Sequence, residues 1–269
     1  EGLGLAGIPY RIYLLSDLTR DDFPAYRCYL FPNLFKVDAH RIKLLRQKVL
    51  REGRIAIFGP GTGITDGEEV SARQAERLLG IPMRLFPWKS PRTIRLRDRT
   101  NPALRAADMP ALFRESFAYG PLLAPDPDRL AEADVQLLGK GIFSFYANAW
   151  GLVMKEFGHG AAGNGKPGGR GPDDYAVVFS AAVPLPPPLL RGLARYGGCN
   201  VWCDSEVVIS ASDDLVSIHA TEPGPYTINL PGKFAKVTDA VTGETIGKNL
   251  WRFNLTLKPP QTRVFFLKR

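Results

Sequence analysis

The chain has 269 residues, enough for two domains that each bury a core, and its 45% hydrophobic and 23% charged residues exclude a disordered or fibrous chain. No apolar run approaches the roughly 20 residues needed to cross a bilayer as a helix, so no membrane is expected as a partner. The 35 basic against 27 acidic residues leave a formal charge of +8. The N-terminal EGLGLAGIPY has no basic, apolar and cleavable regions in the order of a signal peptide and no start methionine, so the chain reads as a processed or excised piece.

The first sixty residues repeat one pattern, an apolar run closed by small polar or acidic residues. IPYRIYLL ends at Ser16-Asp17, YRCYLF ends at Pro32-Asn33, and RIAIFG enters the loop GPGTGITDG. Such runs predict strands buried on both faces of a parallel sheet, and ligands of such sheets gather at the strands' carboxyl ends. Asp17, Asn33, Thr62 and Asp66 are therefore the candidate ligand-binding residues. Between the second and third runs, Ile42, Leu45, Val49 and Leu50 recur at helical spacing, with Asp38 to cap the start and Gly53 to end it. SARQAERLLGI predicts a short helix capped by Ser71, leading to a strand at Met83 to Phe86. Strand, helix, strand, helix, strand in this order predicts an open α/β sheet.

The segment KSPRTIRLRDRTNPALR carries much of the basic excess. On a strand, Arg95, Arg97 and Arg99 would share a face, either as a solvated edge kept from pairing by its charge or as a stripe meeting phosphate or acidic sugar. No nucleic-acid motif or regular aromatic interleaving accompanies them, so nucleic acid is not expected as a partner. A helix is predicted near Pro110 to Phe117. IFSFYANAWGLVMKEFG predicts strands around a turn at Asn148, and the glycine-rich stretch from Gly158 to Gly171 predicts a mobile loop holding a solvated His159 and open to proteolysis at Lys166 and Arg170. Tyr175 to Ser180 predicts a strand, and VPLPPPLLRGLARYGG a proline-led helix stopped by Gly-Gly. From Glu206 onward VVISAS, VSIHA, YTINL, KVTDA, WRFNLTL and TRVFFL read as short antiparallel strands. Two domains are expected: 1–205, an α/β domain with an open, mostly parallel sheet, and 206–269, a small antiparallel β-domain.

Few residues offer chemistry. Cys28, Cys199 and Cys203 make no disulfide framework, since on a strand Cys199 and Cys203 would stand roughly 13 Å apart. They have no metal-ligand spacing to His40, His159 or His219, so buried free thiols and no metal or cofactor are expected. Cys28 lacks the flanking glycines that present a nucleophile at an elbow. GPGTGITDG lacks the Lys-Ser/Thr of a phosphate-binding loop, and its glycines suit a tight strand-to-helix turn as well as a ligand contact. Asp66, Glu68 and Glu69 read as a helix-start cluster rather than as the opposed carboxylates of a glycosidase. Of Trp88, Trp150, Trp202 and Trp251, at least three are expected in the core, and His219 in a hydrogen bond within the β-domain.

IPYRIYLLSDL, the YRCYLFPN strand, a helix ending in REG and a strand entering a glycine loop together resemble the amidotransferase-like domain behind the catalytic barrel of family 42 beta-galactosidases. LLGKGIF, YAVVFSAAVPLPPPLLRGLARYGG, DDLVSIHA, TINLPGKFAKVTDAVTGE and TRVFFL are similar to the same region, in the same order. The resemblance implies for 1–205 a sheet of flavodoxin-like or class I amidotransferase-like type, in a trimerisation-type domain whose parent keeps its catalytic glutamates on an upstream barrel, hence no catalytic residue here, with another copy or a catalytic barrel as partner. Two other readings follow from the residues: a stand-alone hydrolase acting on a sugar or ester at the strand ends, and a carbohydrate-binding module.

Overall fold

A computed structural model describes residues 2–97, 100–106, 108–143, 146–158 and 171–269, with the side chains of 146–148 outside the description. Arg99, His159, Lys166 and Arg170, and with them the expectations for the glycine-rich loop, lie outside the described residues. The chain divides into two compact units: one of Leu14–Pro184 with Tyr196–Gly198, the other of the N-terminal segment to Tyr13, Leu185–Arg195 and Cys199–Arg269. The second takes in more of the chain than the strand-rich stretch from 206.

The larger unit is built on a seven-stranded sheet in the order β1-β2-β9-β8-β7-β4-β5. Strands β1 (Cys28–Phe31), β2 (Arg54–Phe58) and β9 (Tyr175–Ser180) run parallel, with Ile57 between Leu30 and Val178. Helix α1 (Ala39–Lys48) links β1 to β2; Asp38 accepts the Arg41 N–H at 2.8 Å, as its position before the apolar repeat predicts, and Ile42 and Leu45 are buried. The helix ends at Lys48, before Gly53, which instead makes a left-handed turn into β2 at φ 69°.

Beyond β9 the sheet is antiparallel: β8 (Tyr146–Phe157), β7 (Gln136–Phe143), β4 (Arg92–Leu96) and β5 (Leu112–Arg114). The mostly parallel sheet expected from sequence is thus a mixed one. Three segments account for the difference. Residues 8–14 form no strand, and Leu15–Thr19 is a 3-10 turn. After helix α2 (Arg73–Leu79), stopped by Gly80 at φ 64°, strand β3 (Met83–Phe86) leaves the main sheet and pairs antiparallel with β6 (Leu122–Pro125), whose four side chains are all buried. The stretch predicted as a helix near 110–117 holds β5, because Phe113 alternates inward between exposed Leu112 and Arg114. Asn148 lies within β8 rather than at a turn, and Ala72, not Ser71, occupies the cap position of α2. On the inner face, Ile94 of β4 fills the space above Gly139 and Gly151, and the Phe143 ring that above Gly141; a Cβ at Gly151 would stand 2.0 Å from Ile94 Cδ1.

In the smaller unit β10 (Val207–Ala211), β11 (Leu215–Ala220), β14 (Thr262–Lys268), β12 (Gly224–Asp239) and β13 (Thr245–Leu257) form an antiparallel sheet in the order β10-β11-β14-β12-β13. The predicted separate strands YTINL and KVTDA are one long strand, β12, with irregular register between Asn229 and Phe234. Val207, Ile209, Val216, Ile218, Phe253 and Phe265 lie in its core, the two phenylalanine rings edge to face at 5.1 Å. The N-terminal segment joins this core by a parallel bridge of Ala6 to Val207, and helix α3 (Pro187–Tyr196) belongs to it as far as Arg195. His219 Nδ1 meets Thr262 Oγ1 at 2.8 Å, the hydrogen bond its alternation predicts.

Gly59 ends β2 where a Cβ would lie 2.3 Å from the Pro32 carbonyl oxygen. Gly59→Ala is expected to lower stability by about 2 kcal/mol through this backbone clash. Gly232→Ala, at a position with nothing within 4 Å of the new methyl, should stay within about 0.5 kcal/mol of the parent in the same urea titration.

Candidate functional site

At the carboxyl ends of β1 and β2 the two loops zip onto each other. The Gly59 N–H donates to Phe31 O at 2.8 Å, Gly63 N–H to Leu34 O at 2.9 Å, and Val37 N–H to Thr65 O at 2.8 Å. Thr62 is fully buried and gives its hydroxyl to Gly59 O at 2.8 Å, so it stabilises the turn from inside. Asp66 accepts the N–H groups of Glu68 and Glu69 at 3.0 and 3.1 Å and the Gln74 amide at 3.2 Å. These donors, the Glu68 N–H foremost, hold its carboxyl down at about 2. Asn33 is exposed in the facing loop. Asp17 lies in the 3-10 turn, not at a strand end, and accepts the Leu14 N–H at 2.8 Å. Among the described residues no hydrogen bond joins any two of these four. The loop carboxylate of Asp66 serves the fold, since its lowered pKa means that the ionised form is stabilising above the ordinary carboxylate range. The stability gap between the parent and Asp66→Ala should therefore be full near neutral pH and close as pH falls from about 4 toward about 2, as acid titration of urea unfolding would show.

A second polar cluster has no counterpart among the residues singled out from the sequence. Arg92 is 1% exposed on the inner face of β4. Its guanidinium lies over the Tyr119 ring, 3.7 Å from the centroid. Nη1 stands 3.5 Å from Glu115 Oε2 without the alignment of a hydrogen bond, and the Tyr119 hydroxyl donates to Glu115 Oε1 at 2.9 Å. Burial raises the Glu115 carboxyl above its ordinary value and the Tyr119 hydroxyl to about 12. The signal was present: in RTIRL, Arg92 has the parity of Ile94 and Leu96, so a strand there turns it inward. A third group is a chain of buried amides and acids in which Asn101 donates to Gln136 at 2.6 Å, Gln136 donates to Glu156 at 3.0 Å, and the Tyr196 hydroxyl donates to the other Glu156 oxygen.

Neither cluster supplies the opposed carboxylates of glycoside hydrolysis, since each holds one carboxylate among neutral or cationic partners. Cys28 sits inside β1 in register with Ile55, where no elbow presents its thiol. Cys199 is half-buried and Cys203 buried, its thiol pushed up by desolvation, and none of the three cysteines is in a disulfide. Among the described residues no three His, Cys, Asp or Glu side chains gather as metal ligands. A groove of about 220 Å³ runs past Phe23, Tyr29, Lys48 and Arg51; there Lys48 Nζ donates to Arg20 O at 3.3 Å and Arg51 pairs with Glu52 at 2.6 Å, while the buried Arg51 Nε has no hydrogen-bond partner among the described residues. The tryptophans differ from expectation, because only Trp202 is in the core. Trp150 is half-buried, Trp88 is 36% exposed, and Trp251, opposite the irregular stretch of β12, is 65% exposed.

Comparison with known proteins places the fold. No family model and no curated protein matches the chain. Among solved structures it is similar to a beta-galactosidase from Bacillus circulans sp. alkalophilus, with a TM-score of 0.53 and 14% identity over 90% of this chain and 33% of that one. It is also similar to a cold-adapted beta-galactosidase from Rahnella sp. R3, with a TM-score of 0.51 and 11% identity over 90% of this chain and 32% of that one. The chain therefore has the fold of a part of beta-galactosidase chains, and spans about a third of their length.

Removing Arg92 strands Glu115 under protein. Arg92→Met is expected to cost about 3 kcal/mol at neutral pH. The cost should shrink as pH falls toward about 4, because the orphaned carboxyl, raised further, is then protonated in the folded state at little expense. Urea unfolding at the two pH values checks both the size and the sign.

Proposed function

We propose that the chain is a non-catalytic assembly or accessory domain of a beta-galactosidase-like glycoside hydrolase, of the amidotransferase-like, trimerisation type. The observation that carries this reading is the similarity of 90% of the chain to about a third of two beta-galactosidases. A match of that extent is what a domain of a larger enzyme gives. The polar groups at the strand ends support it, because Thr62 and Asp66 satisfy their own loop and leave no nucleophile, base and oxyanion site in mutual reach. Its partners on this reading are further copies of itself or a catalytic barrel.

The chain at micromolar concentration should self-associate in multi-angle light scattering and release no phenol from aryl galactosides. A monomer that turns over such a substrate overturns the proposal. Asp66→Ala then serves as the discriminating variant: loss of that turnover would place chemistry at the strand ends.

A further inference from the structure

The outer face at the β5 end of the large sheet sets exposed cations beside exposed apolar side chains. Two cross-strand rows define it. In one row Leu112 of β5, Arg95 of β4, Lys140 of β7 and Trp150 of β8 stand side by side; in the next are Arg114, Thr93 and Ile142. Leu112 and Ile142 are 46% and 47% exposed, Arg95 and Arg114 are exposed, and Arg97 is exposed just beyond β4. Among the described residues none of Arg95, Arg97 and Arg114 has an acidic partner, whereas Arg92, Arg129 and Arg263 elsewhere are all paired. Arg95 and Lys140 face each other directly, an arrangement that costs stability in a sheet. Lys140 relieves part of it by resting its ammonium 4.4 Å from the centre of the Trp150 ring.

The same end of the sheet offers backbone. Strand β5 is last in the order and, among the described residues, pairs with β4 alone. Glu115 N–H donates to Arg92 O and Leu96 N–H to Ala111 O, so the odd-numbered residues turn their main-chain groups toward β4. By alternation those of Leu112 and Arg114 turn outward.

We propose that this face receives an extended acidic polypeptide segment, which pairs with the free edge of β5 and sets its carboxylates against Arg95, Arg114 and Lys140. The cations ask for an anion. Leu112 and Ile142 ask for apolar side chains between the charges, and the unpaired edge asks for a backbone, which a glycan or nucleic acid does not have. Lys140 already covers the Trp150 ring, so the flat platform a sugar or base would use is taken. A second copy of the same face is excluded as occupant, because like cations would meet across the contact. The inference stands on the face itself and holds whether or not the chain serves a glycosidase.

Fluorescence anisotropy of a labelled peptide alternating glutamate with valine, titrated with the full chain at low and physiological salt, tests the proposal. Saturable, salt-weakened binding is expected, and Arg95→Glu with Lys140→Glu should weaken it about tenfold or more. Lys43→Glu with Lys233→Glu removes the same charge at exposed positions of α1 and β12 and should change it less than about twofold. The same peptide N-methylated throughout keeps its charge but cannot donate to a strand edge, and it should bind far more weakly. Absence of binding, equal loss in both charge-reversal pairs, or undiminished binding of the methylated peptide each overturns the proposal. Heparin bound as tightly as the peptide, and weakened equally by Arg95→Glu with Lys140→Glu, also overturns it by showing a site for any polyanion.

Discussion

The larger unit hangs on the burial of β2. Ile55, Ala56, Ile57 and Phe58 have almost no exposure, and β2 is held on both sides by parallel neighbours, β1 through Leu30 and β9 through Val178. Each large side chain placed there contributes about 1.5–3 kcal/mol relative to exposure, and none can move without uncovering the others. Phe31 and Phe58 stack at 5.1 Å at the strand ends. The two loops must therefore leave the sheet side by side, which is why they bond to each other through Gly59, Gly63 and Thr65 and why Gly59 carries no side chain.

That constraint decides what the strand ends can do. An open parallel sheet offers its carboxyl ends as a ligand crevice when its loops splay apart. Here they close on one another, and their polar side chains serve the closure: Thr62 from within, Asp66 by gathering three donors. A carboxylate so well satisfied is a weak base and a poor proton donor at neutral pH. The chain shares its fold with about a third of each of two beta-galactosidase chains.

Elsewhere the unit tolerates buried polarity where partners are at hand. Glu156 is held by Gln136 and Tyr196 together, and satisfied groups of this kind fix one packing arrangement at modest cost. Arg92 is different: among the described residues its Nε and Nη1 have no hydrogen-bond acceptor, its Nη2 reaches only the Tyr119 and Pro121 carbonyls at 3.4 and 3.5 Å, and its charge faces Glu115 and the Tyr119 ring. Strand β4 thus carries a buried cation, Arg92, on its inner face and an exposed one, Arg95, on its outer face.

The sequence by itself determined the elements whose signals are local. The runs at Cys28–Phe31, Arg54–Phe58 and Tyr175–Ser180, the cap at Asp38, the proline-led helix from Pro187 and the alternation after Val207 all appear where short-range pattern puts them. Period and capping depend on neighbours a few residues away, so they are legible in one dimension. Tertiary structure decided which strands pair and which polar groups meet. IPYRIYLL is as apolar as β2 yet forms no strand, and Met83–Phe86 joins β6 instead of the parallel sheet. An apolar run states only that it needs cover, and many partners can give it. Of the candidate site, the sequence located the loop of Thr62 and Asp66 but not its closure, and it missed Arg92 with Glu115 and Tyr119, partners 23 to 27 positions apart in the chain. Pairings at such separations are chosen by the packing of the whole unit, because the entropy of closing the intervening chain is recovered only when the core around them forms.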